Sequence, residues 1–389
     1  MVQFTSEDRV KLALSHHEAD YVPFDLGSTA NTGIHIRAYK NLLSYLGIKK
    51  DVFPFLDMVQ QTAQIHEDVL QKLKVDVRGL ISKAPNNWEL KLLKKDGYKY
   101  FVSEFGITWR MPEHNGYYYD PLDSPLSEGS ISKEKIDSYV WPKGNNTSRI
   151  AGLEKQAKNW LSDVRPAILM EEFGAEIFDA PFWLRGAENF YMDLASDPKI
   201  ACYLMDKMVE IQMEYWEMVI KNLGEYISIV RLGDDLGTQN TTRISPEMYR
   251  KYIKPRQKKL FSFIKKVSNK KIYIFLHSCG SVYEIIPDFI EIGVDILNPV
   301  QISAANMDSK KLKKEFGKNL TFWGGGVDTQ HILPKGTTQQ VRDEVKRRLD
   351  DFAPGGGYIF NPVHNIQLDV PPENIVAMWE TWLEFGKYK

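Results

Sequence analysis

The sequence predicts a single (β/α)8 barrel, and three observations carry that prediction. Eight short β-rich runs recur along the 389 residues, and most are followed by a longer stretch with helical apolar spacing, the alternation of parallel strands joined by helical crossovers. Chemically capable residues also follow many different runs: Glu171 and Glu172, Asp234 and Asp235, His277 and Cys279, Asn298, and His364. An open doubly wound sheet shows the same alternation but gathers function at one or two switch points, whereas a closed barrel sends every strand end to one mouth.

Taken in order, the first run is VPFDLG from Val22, preceded by RVKLALSHHEAD, which mixes acids and bases in a helical pattern. That opening lacks the apolar stretch and small-residue cleavage site of a signal peptide. The second run is VDVRGL from Val75. The stretch that follows, about 81–164, is too long for one crossover. Its middle, GYKYFVSEFGITWRMPEHNGYYYDP, alternates aromatic and polar residues around the turn formers His114, Asn115 and Gly116, so a β-hairpin insertion is expected there. On the carboxyl-terminal side of the barrel such an excursion would form a lid. The remaining runs are PAILMEEF from Pro166, YISIVRLGDD from Tyr226, IYIFLHSCG from Ile272, VDILNPV from Val294, LTFWGGG from Leu320 and GYIFNPVH from Gly357. With no fixed-period repeat, low-complexity tract or linker, residues 1–389 are expected to form one domain.

Fifty Lys and Arg against 51 Asp and Glu give a formal charge of −1, which provides no global electrostatic case for nucleic acid or a membrane surface. A small molecule or a protein is the expected partner. Cys202 and Cys279 are too few for a disulfide framework, and a cytoplasmic location is expected. Strand and helix patterns mark no subunit interface, so homo-oligomerisation stays open.

In IYIFLHSCGS, His277 and Cys279 stand two residues apart directly after a strand, so in extended geometry both side chains point the same way. That suits chelation of one ion, zinc above all, and a helix opened by Gly280 and Ser281 would favour the thiolate through its amino-terminal dipole. Two residues alone read more readily as a buried cysteine beside a hydrogen-bonded histidine. His364, in NPVHNIQ after the eighth run, adds a third N/S ligand from a strand that ends at the same mouth, leaving a fourth position open. Water, a substrate atom or a carboxylate from Glu171, Glu172, Asp234 or Asp235 would fill it. The acidic pairs are alternatively partners of Arg231 and Arg243, or helix caps.

The segments FLHSCGSVYEIIPDFIEIGVDILNPVQ, FWGGGVDTQHILPKGT and APGGGYIFNPVHNIQLDVPPENIVAMWE closely resemble the uroporphyrinogen decarboxylase superfamily, strongly from about Leu223 onward and more loosely before it. The resemblance implies a (β/α)8 fold and two functional branches. One holds cofactor-independent decarboxylases of haem biosynthesis. The other holds zinc-dependent methyltransferases that act with corrinoid proteins and bind zinc through a His-x-Cys pair and a later Cys. The Arg-rich RQAGRYLP-type segment of the decarboxylases is missing from FDLGSTANTGIHIRAYK, where Arg37 is the one nearby guanidinium. His277 and Cys279 match the methyltransferase motif, while His364 stands where that branch usually has Cys. Less thiolate leaves zinc a stronger Lewis acid, suited to polarising an ether or hydroxyl oxygen.

The resemblance thus implies a demethylating methyltransferase that moves a methyl group from a small methylated substrate to a corrinoid (cobalamin) carried by a separate protein, since no Asp-x-His-x-x-Gly cobalamin pattern occurs here. His277, Cys279 and His364 would hold Zn2+. Glu171, Glu172, Asp234 or Asp235 would orient substrate or deliver a proton to the leaving oxygen. Gln239, Asn240, Asn298 and Trp323 are expected at the substrate, with Phe182 and Trp183 as further aromatic candidates and Gly324, Gly325 and Gly326 allowing close backbone approach of a ligand. Two rivals remain. One is a metal-free decarboxylase using Asp25 as its acid, and the other is a non-catalytic subunit that binds a corrinoid protein or a small ligand.

Overall fold

The computed structural model describes residues 4–388; residues 1–3 and 389 of the expected domain lie outside the described residues. Seven parallel strands stand side by side in chain order: Val77–Leu80, Ala167–Glu171, Ile229–Gly233, Tyr273–His277, Ile296–Asn298, Thr321–Trp323 and Tyr358–Ile359. The extended residues 22–26 close the ring. Asp25 N donates to Phe360 O (3.0 Å) and Phe360 N to Pro23 O (2.8 Å) on one side, while Asp76 N donates to Phe24 O (2.8 Å) on the other. The fold is a (β/α)8 barrel in which all eight sequence runs become staves.

Alternation along the strands then decides what each residue meets. Ala167 and Leu169, Ile229, Tyr273 and Phe275, Ile296, Trp323 and Ile359 fill the barrel interior above the helix Ser6–Leu14, which plugs its amino-terminal end. Their neighbours Ile168, Met170, Val230, Leu232, Ile274, Leu276, Leu297 and Phe322 face outward into the layer under the helices. Continuing the inward parity by two residues places Glu171, Arg231, His277 and Asn298 in the layer at the carboxyl-terminal mouth. The mouth is polar because the same pattern that fills the interior runs on into hydrophilic residue types.

Two excursions stand on this side of the barrel. Between the closing segment and Val77–Leu80, the helix Ile36–Tyr45 packs on the helix Pro372–Phe385 as a crossover of the expected kind, and an antiparallel ribbon of Phe55–Asp57 with Thr62–Ala63 follows it that the sequence does not predict. The expected insertion at 81–164 holds a four-stranded antiparallel meander, Leu93–Lys95, Tyr98–Val102, Thr108–Pro112 and Asp120–Asp123, rather than one hairpin, followed by the helices Lys133–Ser138 and Leu153–Asp163. Of the two extra turns, one is made by Asp96 and Gly97, both at positive φ (50° and 77°), and the other by Ser103–Gly106, where Gly106 is at φ 78°. Its outer strand LKK is short and exposed and has no apolar alternation, which is why periodicity passes over it. Among the described residues no helix is long and apolar enough to cross a membrane.

Candidate metal centre

His277 ends its strand with its side chain inward, and Cys279 follows in the loop that leaves it. This loop is locked to the preceding one: Gly237 N donates to Cys279 O (3.1 Å) and Ser281 N to Thr238 O (2.7 Å). Gly280, at φ +87°, would drive a Cβ to 2.4 Å from the Gly237 carbonyl carbon, so only glycine lets the two loops approach this closely. His364 arrives on the loop after Tyr358–Ile359. One ligand atom from each of His277, Cys279 and His364 lies within 4.8 Å of the others, with Cys279 Sγ 3.4 Å from His277 Nε2. The imidazole rings are 5.5 Å apart, centre to centre.

Hydrogen bonds fix both imidazoles in one tautomer. Asn298 Nδ2 donates to Trp323 O (2.8 Å), so its Oδ1 faces His277 and accepts from Nδ1–H (2.5 Å). Asn365 Nδ2 donates to Gln60 Oε1 (2.9 Å), so its Oδ1 accepts from His364 Nδ1–H (2.7 Å). Each ring therefore presents the Nε2 lone pair to the shared space, the arrangement that metal-ligating histidines adopt. Burial draws the His277 pKa down to about 3 and lowers that of His364, so both are neutral. Burial and the Asp235 carboxylate push the Cys279 thiol well up. The expected helix dipole is absent there, because the next helical turns begin only at Tyr283. A cation among these atoms would reverse the thiol's balance. Two neutral imidazole nitrogens, one sulfur and a nearby carboxylate form a donor set that zinc fits.

The four acids separate by environment. Asp235 stands nearest the cluster, its Oδ1 accepting from Cys279 N (2.9 Å) and lying 3.6 Å from His277 Nε2, with its side chain 42% exposed at the mouth. Glu171 is 3.6 Å from Arg231 Nε, and burial raises its pKa to about 7. Glu172 has both oxygens engaged, by Arg231 Nη1 (2.9 Å) and Gln212 Nε2 (2.8 Å). Asp234, expected to act on substrate, is instead an internal pillar. It accepts from Phe178 N (2.6 Å), Asp179 N (3.3 Å) and Gln257 Nε2 (2.9 Å), holding the start of the helix Asp179–Arg185.

The expected substrate contacts fare unevenly. Asn298 sits beneath His277 as its orienting partner. Trp323 has no exposed surface: it fills the barrel interior, with its indole N–H on Asp25 Oδ2 (3.0 Å). Gln239 and Asn240 lie exposed on the rim, where Gln239 binds Ser303 O and the Gln301 amide. Gly324 is pressed against the Pro299 carbonyl rather than open to a ligand. Phe182 is buried, and its face is covered by the Arg243 guanidinium at 4.2 Å, while Trp183 is half-buried against it and Trp109 of the meander. Asp25 is fully buried with both oxygens engaged, Oδ1 by Ser28 N (3.2 Å) and Oδ2 by Ser28 Oγ (2.7 Å) and the Trp323 indole (3.0 Å). Arg37 is exposed on its helix.

Sequence reasoning missed Asn31, Tyr118, Asp57 and Asn365. Asn31 Nδ2 donates to His364 Nε2 (3.2 Å) while its Oδ1 accepts from Arg231 Nη2 (2.6 Å). Tyr118, from the meander, donates to Asn365 Oδ1 (2.6 Å). Asp57 of the ribbon is near enough for Arg231 to ease the rise that burial imposes on its pKa. Asn365 directly follows His364 in NPVHNIQ, so that position was there to be read, whereas only the two excursions bring Tyr118 and Asp57 over the mouth.

The sequence profile of the uroporphyrinogen decarboxylase (URO-D) family matches residues 181–385. Among curated relatives, the uroporphyrinogen decarboxylase of Geobacter sulfurreducens is 30% identical over 183 residues, 47% of this chain and 48% of that protein. That of Thermus thermophilus is 28% identical over 138 residues, 34% of this chain and 35% of its own. The chain thus spans about half the length of the curated relatives it matches. Among solved structures, a methyltransferase from Methanosarcina mazei superposes with a TM-score of 0.67 over 98% of this chain and 99% of that one, at 17% identity. That likeness is one of fold.

Proposed function

Because the chain belongs to the uroporphyrinogen decarboxylase family, we propose that it is a zinc-dependent methyltransferase, moving a methyl group from a small methylated substrate to a corrinoid on a partner protein. The observation that carries this reading is the convergence of His277 Nε2, Cys279 Sγ and His364 Nε2 at the barrel mouth, with both imidazoles held neutral. Zinc held there supplies Lewis-acid polarisation of the heteroatom that bears the methyl group. The protein's own part is to orient that heteroatom and manage its proton. Asp235 and Glu171 are the acids placed for this. Burial keeps Glu171 partly protonated near neutral pH, as a donor to a leaving oxygen requires, and Asp235 lies beside the ligand atoms. The mouth also argues against a substrate with many carboxylates. Arg231 is spent on Glu171, Glu172 and Asn31, and Arg243 on Asp179 (2.7 Å), inside a surround of further acids. The fold shared with the Methanosarcina methyltransferase accords with this branch.

The test is elemental analysis of the purified protein beside His277→Ala and Cys279→Ala. About one equivalent of zinc, lost in both variants, is expected. Absence of metal from all three after zinc is supplied would overturn the reading.

A further inference from the structure

The two imidazoles offer their lone pairs on unequal terms. His277 Nε2 is hydrogen-bonded at 3.4 Å by the Cys279 thiol, whose proton is lost when the sulfur itself becomes a ligand, and Asp235 Oδ1 stands at 3.6 Å; no amide N–H is bonded to it. His364 Nε2 already accepts a hydrogen bond from Asn31 Nδ2 at 3.2 Å. That amide cannot turn over freely, because Arg231 Nη2 grips its oxygen at 2.6 Å and Arg231 is itself anchored by Glu172. Asn31 is 6% exposed and faces His364 with its donor end. A lone pair serves one partner at a time, so a metal ion and Asn31 compete for His364 Nε2 and do not compete for His277 or Cys279.

We propose that His364 is the exchangeable ligand of the centre, and that Asn31, aimed by Arg231, takes its Nε2 whenever it leaves the metal. This rests on the metal-centre reading above. Its consequence is a site with two permanent ligands on one wall and a third that can withdraw without leaving a buried nitrogen unpaired, so that a substrate atom has a place to enter.

The probe is metal affinity for Zn2+ and Co2+, with the Co2+ visible spectrum as a second readout, in a double-mutant cycle of Asn31→Ala and His364→Ala. Removing one competing neutral hydrogen bond is expected to tighten metal binding roughly 3- to 10-fold in Asn31→Ala. The cobalt–thiolate absorption should persist in His364→Ala, and the Asn31 effect should vanish in that background. Asn31→Leu, which keeps the volume, should reproduce the gain if packing is intact. An Asn31 effect of the same size with and without His364, or no effect in either Asn31 variant, overturns the proposal while leaving the metal centre standing. No metal in the unaltered protein would instead remove the reading beneath it.

Discussion

One wall of the candidate centre is built from the barrel, the other from what covers it. His277 hangs on a chain of barrel atoms: its Nδ1–H on Asn298, Asn298 on the Trp323 carbonyl, and the Trp323 indole on Asp25, with Asn298, Trp323 and Asp25 all fully buried. His364 depends on Asn365, whose amide is held by Gln60 from the first excursion and Tyr118 from the meander. A ligand set by the barrel inherits the rigidity of parallel strands, whereas one set by excursions follows their position. The difference teaches that His364, the proposed third ligand, is where the position of the cover would be coupled to the geometry of the centre.

Arg231 joins the two walls, and removing it should break the contrast most severely. Arg231→Met leaves Glu171 and Glu172 buried without their cation and frees the Asn31 amide. A loss of about 3 kcal/mol or more in unfolding free energy is expected at pH 8. A urea midpoint unchanged from the parent would show that the two acids are already neutral in the fold.

The contrast sharpens next in metal affinity. Asn298→Ala should weaken zinc binding roughly 10- to 100-fold, because His277 loses the partner that orients it. Asn365→Ala should cost less, about 10-fold at most, because His364 is the ligand that exchanges. Equal losses, measured by competition with a chelator, would place both histidines on the same footing.

A further effect, read in stability rather than in metal affinity, concerns Asp25, at the foot of the His277 chain. Burial raises its pKa to about 6 in the fold, above the 3.8 of an unhindered carboxyl. Between those values the unfolded chain gives up a proton that the folded chain keeps, so this group's contribution to stability falls as pH rises through the window and is level above it. Asp25→Asn removes the titration. Relative to the parent, the variant should therefore gain on the order of 2 kcal/mol between pH 4 and pH 7, read from paired denaturation curves. Parallel curves would mean that Asp25 is charged in the fold.

Strand order and the clustering of three metal-competent side chains were legible because each is written in short range. A β-rich run bounded by turns and a His-x-Cys pair at a strand end depend on neighbours two to eight residues away, and closure of the barrel then brings His364 to the same mouth. The four-stranded meander was legible only as an interruption. Its outer strand is polar and exposed, and a strand with no buried face carries no alternation to read.

By itself the sequence determined the staves, their inward parity and the identity of three metal-competent side chains. Tertiary structure alone decided which acids are free. Asp234 and Asp235 are adjacent in the chain, yet one is pinned by Phe178, Asp179 and Gln257 and the other opens on the mouth. It also turned Trp323 into interior packing and brought Asn31, 333 residues from His364, to that residue's lone pair. The physical reason is that a side chain's type limits the bonds it can make, while which bonds form depends on partners that only the closed barrel brings within about 3 Å.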